Sequence, residues 1–135
     1  MAQLGTKKSL TLAAAKEIGN AAEAKARELN FTNSIAVIDD GGNVIYQVTM
    51  DGTQMGSINV AVQKALAALR FKRSTKLFQD MVTGDKPHMA FLPGAVPVEG
   101  GRLVRERDAP LRRGPAAPVV QCPRHSVGNP QAPPR

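Results

Sequence analysis

Between Ser34 and Thr75 the chain runs SIAVIDDGGNVIYQVTMDGTQMGSINVAVQKALAALRFKRST, and little freedom is left in what that stretch can fold into. Ile35, Val37 and Ile38 form a β-branched run. Asp40-Gly41-Gly42-Asn43 supplies the positive backbone φ that a tight turn needs. Val44 to Met50 then returns, with Val44, Tyr46 and Val48 alternating against Ile45, Gln47 and Thr49. Two β-patterned runs joined by a Gly-rich turn predict an antiparallel hairpin. Asp51-Gly52 breaks the second strand. From about Ser57, the expected N-cap, to Arg70 the period changes. Ile58, Ala61, Val62, Ala65, Ala68 and Leu69 mark the buried stripe of a helix.

Upstream, a helix is predicted from Ser9 or Thr11, since either hydroxyl can accept a free backbone N–H at a helix start. Leu12, Ala15, Ile18, Ala22, Ala26 and Leu29 give it an alanine-rich apolar face that another element can approach closely. Asn30 ends it. Downstream, Phe71 to Ser74 is a break, and Thr75 caps a short helix through Val82 with Leu77, Phe78 and Met81 inward. Ala90 to Val98 is apolar but holds Pro93 and Pro97, which fits a loop with a short edge strand.

At Gly101 the character of the chain changes. Seven of the ten prolines and seven arginines fall in residues 101–135, which carry a net charge of +5 against +2 for residues 1–100. Such a composition cannot bury enough apolar surface to offset its ordering entropy. Residues 101–135 therefore read as a disordered Arg/Pro-rich tail, and residues 1–100 as one domain. A body near neutrality gives no electrostatic footprint for nucleic acid. The basic tail lacks interleaved aromatics, so nucleic acid is not an expected partner there either.

A single cysteine, Cys122, excludes an internal disulfide and a cysteine-based metal site, and fits a reducing compartment. The N-terminus has no apolar signal region, and no run of 18 apolar residues exists. A cytoplasmic protein without membrane partners is expected. Aromatics make up 4% of the chain and Trp is absent, so the core is built from Ala, Val, Leu, Ile and Met. A core of that kind in a small domain gains from being covered by other copies.

The segments LTLAAAKEIGNAAEAKA, AVIDDGGNVIYQVTMDG, SINVAVQKALAALRFKRST and LPGAVPVEGG, in that order, resemble the GlcG/HbpS-like family, which includes the C-terminal domain of PduO-type proteins. The resemblance covers roughly residues 9–100. It implies an α+β fold: an antiparallel sheet of about five strands packed by helices, loosely profilin-like, assembled into homo-oligomers. It also implies binding of haem or a related small anionic ligand, in a protein accessory to a metabolic or redox-sensing operon. Two departures stand out. The family carries Arg just before Met-Asp-Gly, where this chain has Thr49. After Glu99-Gly100-Gly101 the family continues with strands, one of them Gly-rich, and a final helix; the Arg/Pro sequence shows none of these. The domain is then truncated, and residues 101–135 are either a native tail or the product of a frameshift. A sheet lacking two strands would keep an open edge.

On that resemblance, Lys64 and Arg73 are placed against ligand carboxylates, and Thr75 beside a ligand oxygen. Met50, Phe71 and Met81 offer apolar contact, and His88, the body's one imidazole, is a candidate iron ligand. Each has a plainer reading: a solvated basic helix end, an N-cap, core packing, a surface histidine. Asp39-Asp40 reads as turn chemistry, because neighbouring strand residues point to opposite faces. Tyr46 reads as packing. Cys122 and His125 lack the partners for zinc. Two rivals stand beside ligand binding. One is an enzyme acting on haem or a small carbonyl compound, with Asp51 as its acid. The other is a ligand-free accessory oligomer, favoured by the lack of a catalytic triad and by the scarcity of polar groups expected to converge on one pocket; nucleophile-elbow, phosphate-loop and metalloprotease motifs are absent as well.

Overall fold

A computed structural model describes residues 2–7, 9–104 and 119–121. Helix α1 (Leu12–Glu28) leads to strands β1 (Ser34–Ile38) and β2 (Val44–Thr49). Helices α2 (Gly56–Phe71) and α3 (Thr75–Thr83) follow, then a 3-10 turn over Pro87–Phe91 and strands β3 (Gly101–Leu103) and β4 (Val119–Gln121). The four strands form one antiparallel sheet in the order β2-β1-β4-β3. The fold is α+β, as the sequence predicts.

Local chemistry explains the elements. The Thr11 hydroxyl accepts the Ala14 N–H at 3.2 Å, so Thr11 rather than Ser9 caps α1. Asn30 ends the helix in the left-handed region at φ 57°. There its N–H reaches Arg27 O while that of Phe31 reaches Ala26 O, a Schellman closure. Lys72, at φ 51°, closes α2 in the same way, through Leu69 O and Ala68 O. In the hairpin turn the Asp39 carboxylate accepts from the backbone N–H groups of Gly41 and Asn43 and from the Asn43 side chain. The Asn43 bonds, backbone first and then side chain, hold the Asp39 carboxyl below its ordinary value; Gly41 and the Lys7 charge add to them. Turn chemistry is thus what the aspartate does.

Strand β1 is buried along its whole length because helices cover both faces of the sheet. Consecutive residues face opposite ways: Val37 packs with Ala15 and Ile18 of α1, Ile38 with Ala65 and Ala68 of α2. A bulge between Val37 and Ile38 adds one residue to β2, and both Ile45 and Tyr46 pack on the α1 side. The Tyr46 ring lies on α1 at Gly19, where a Cβ would stand 2.4 Å from Cε1, and its hydroxyl donates to Asn20 Oδ1 at 3.3 Å. Tyr46 is a packing residue.

Several expectations need correcting. α2 begins at Gly56 with Met55 in the cap position, and no side chain caps it, so Ser57 lies inside the helix. Ser74, with extended backbone, holds the cap position of α3 without a side-chain bond; Thr75 is its first helical residue, and the Thr75 hydroxyl accepts from another backbone group. Ala90 to Val98 holds no strand: Pro87 opens a 3-10 turn, and residues 92–100 follow as turns and irregular backbone. The strand comes later, at Gly101–Leu103, and a second lies at Val119–Gln121, where only a tail is expected. The chain therefore adds strands to the sheet after Glu99-Gly100. The expectation of disorder elsewhere in the tail falls on residues 105–118 and 122–135, outside those described, as do Cys122 and His125.

Candidate functional site

Lys64 stands on the buried face of α2 among Ala61, Ala65, Ala67 and Ala68 and is 0% exposed. Its stem runs through the interior, and Nζ donates to the Glu99 carbonyl at 2.9 Å. Thr75, also 0% exposed, begins α3, and its Oγ1 accepts the Gly101 N–H at 2.8 Å. Between them, Gln79 Oε1 accepts the Glu99 N–H at 2.7 Å. Three side chains from two helices thus converge on one short backbone segment. The approach is close enough to require glycine: a Cβ on Gly101 would lie 2.5 Å from Lys64 O and 2.8 Å from Thr75 Cγ2. The structure brings Lys64 and Thr75 together, around the protein's own backbone.

The other basic candidate is elsewhere. Arg73 follows the end of α2, is exposed, and donates through Nε to Phe71 O at 3.1 Å. Its guanidinium carbon stands 5.8 Å from the centroid of the Phe78 ring, and the Phe71 ring meets Phe78 edge-on at 4.9 Å. Phe78 is buried, whereas Phe71 is half-buried. A guanidinium over one ring and an edge-to-face partner beside it make a small aromatic and cationic platform. Arg70, exposed in the last turn of α2, has a guanidinium nitrogen 3.5 Å from where a Cβ on Gly94 would sit. Lys72 is exposed next to Arg73. Cations cluster where the carbonyl end of α2 favours them.

The remaining candidates lie on other elements. Met50 is buried at 8% exposure at the end of β2, with its N–H on Asn33 O. Asp51 is exposed in the turn that follows, which Thr53 N closes on Met50 O. His88 is exposed on the 3-10 turn, and Met81 is half-buried on α3. Among the described residues, no three His, Cys, Asp or Glu side chains gather as a metal site. No helix of the described residues is long and apolar enough to cross a membrane.

Sequence reasoning missed Gln79, Glu99 and Gly101 as participants. Helical spacing held a signal for Lys64: three residues after Ala61 and four before Ala68, it falls on the stripe those alanines mark.

The family model described as "Haem degrading protein HbpS-like" matches residues 10–105. Protein GlcG of Escherichia coli K12 is 31% identical over 96 residues, covering 71% of this chain and 72% of that protein. An uncharacterized 15.0 kDa protein of Citrobacter freundii, from the dhaT-dhaS intergenic region, is 36% identical over 74 residues, covering 55% of this chain and 52% of its own length. Among solved structures, Klebsiella pneumoniae protein ORFY superposes with a TM-score of 0.73 at 25% identity, covering 90% of this chain and 82% of that one. HbpS superposes at 0.71 with 27% identity, covering 88% and 79%. The PduOC:heme complex, at 20% identity and a TM-score of 0.64 over 83% of this chain and 80% of that one, shares the fold.

Proposed function

The chain belongs to the HbpS-like family, and from that premise we propose that it binds haem or a chemically similar planar anion as a small accessory protein. The observation that carries the reading is the platform at the end of α2, where exposed Arg73 lies over Phe78 with Phe71 edge-on beside it. A porphyrin dicarboxylate needs an apolar face and cations; half-buried Phe71 offers the first and exposed Arg73 the second, with buried Phe78 as the support beneath them. Arg73, with Arg70 and Lys72 nearby in sequence, would meet the carboxylates through charge-assisted bonds. Phe71 would contact the macrocycle. His88 would supply an imidazole to the iron. Lys64, Met50 and Thr75 are too deeply buried for direct contact in this arrangement.

Homo-oligomer formation is part of the same proposal. Met55 at 83% and Phe91 at 87% exposure leave apolar surface for another copy to cover. The cytoplasmic location expected from the sequence goes with it. The family's description also names haem degradation, which keeps an enzymatic reading beside binding.

Haemin titration of the full chain tests the proposal through absorbance in the Soret region. We expect a saturable shift, weakened about tenfold by Arg73→Ala, roughly the loss of one charge-assisted bond. A linear, unsaturable response, or one indifferent to Arg73, overturns it. Decay of the Soret band with added reductant, abolished by Asp51→Asn, would move the reading to an enzyme.

A further inference from the structure

The segment from Gly84 to Gly100 connects α3 to β3 and carries His88 and Phe91. None of its residues is buried. Its own hydrogen bonds are short-range: Met89 N to Lys86 O, Leu92 N to Met89 O, Ala95 N to Leu92 O, Val98 N to Val96 O. At its start, Gly84 N and Lys86 N bond back to Asp80 O and Met81 O of α3. At its far end Lys64 and Gln79 hold Glu99, and Thr75 holds Gly101, the first residue of β3. Met89 and residues 95–100 are only half-buried and the rest are exposed, and local opening is cheap where burial is low. The bonds at residues 99–101 therefore carry an unusual share of its attachment.

We propose that Lys64, Gln79 and Thr75 form a clamp that fastens this arm to the body, and that Lys64 is a positioning residue for ligand binding. Each grip is on a peptide group: Lys64 Nζ on Glu99 O, Gln79 Oε1 on Glu99 N–H, Thr75 Oγ1 on Gly101 N–H. Glu99 is held on both sides of its backbone, through its carbonyl and its N–H. A buried ammonium is an expensive way to hold a loop, since desolvation penalises the charge. That cost suits a fastening that fixes the arm in one place. The ammonium would act on a ligand through the arm that bears His88, without touching it. This part rests on the ligand-binding reading above; the clamp does not.

Amide hydrogen exchange of the full chain without ligand tests the clamp. Lys64→Met keeps the stem and removes the ammonium. We expect exchange in residues 86–100 to accelerate at least tenfold, while the amides of β1 keep their protection. Thr75→Val and Gln79→Ala each remove one grip and should open the same segment, which keeps the test decisive if Lys64→Met fails to fold. Unchanged exchange in the arm overturns the clamp, as does acceleration spread equally over β1. Haemin titration of the same variants reads the second part. A weaker and blue- or red-shifted Soret complex, matched by His88→Ala, supports positioning through the arm. Wild-type affinity and spectrum in a variant whose arm has opened overturn it. If the wild-type chain fails to bind haemin, the ligand reading falls, and exchange alone still decides the clamp.

Discussion

The hairpin with its two flanking helices and the arm before β3 are held by different physics. In the first, β1 lies between α1 and α2, and Val37 and Ile38 are wholly excluded from water on opposite faces of the sheet. Small residues let the layers approach: Ala15 and Gly19 on α1, Ala61, Ala65 and Ala68 on α2. In the second, no residue from 84 to 100 is buried, and polar side chains from the helices grip the backbone. Apolar packing acts over many contacts and loses little when one is weakened. Directed hydrogen bonds are few, and each depends on one donor and one acceptor. The body is therefore expected to unfold as a unit, and the arm to open alone.

The largest effect should come from the body. Ile38→Ala empties a fully buried site against Ala65 and Ala68 and should cost roughly 2–5 kcal/mol, read as a lower urea midpoint for the whole chain. A loss confined to the arm would erase the contrast. Next comes Gly19→Ala. In an exposed helix this change stabilises by about 1 kcal/mol. Here the new methyl would meet the Tyr46 ring at 2.4 Å, and we expect a net loss of about 1–3 kcal/mol from overpacking. A gain in denaturation midpoint would show that the ring moves aside freely.

The smallest effect belongs to the turn. The Asp39 carboxyl is held below its ordinary value, chiefly by Asn43. The unfolded chain therefore takes up that proton more readily than the folded one. The turn's contribution is complete above about pH 4 and is lost as pH falls through the lower folded value. Urea midpoints between pH 6 and pH 2 should fall more steeply for the wild type than for Asp39→Asn; parallel curves would contradict this origin.

The hairpin and the first two helices were legible in the sequence because their periods are long enough to see. The five β-branched or small residues of β1, the Gly-rich turn and the alanine stripe of α2 all agree with the fold. Strands of three residues carry no readable period, so β3 and β4 were hidden. Gly100-Gly101 read as a boundary, when Gly101 is glycine because the backbone of Lys64 crosses 2.5 Å from where its Cβ would be. The site was legible in part. The sequence points to Lys64 and Thr75, and in the fold both meet the chain's own peptide groups. A hydroxyl at a helix start has the same appearance in sequence whether it caps its own helix or holds a strand from elsewhere.

A fastening that holds peptide groups is indifferent to the side chains on the strip it holds. Lys64 and Gln79 hold Glu99 by its carbonyl and its N–H. The arm can then be rewritten between its anchored ends, with new residues at the positions of His88 or Phe91, while its seat on the helices stays the same. In such a molecule a fixed frame can present variable chemistry, and a change of ligand would require no change in what keeps the arm in place.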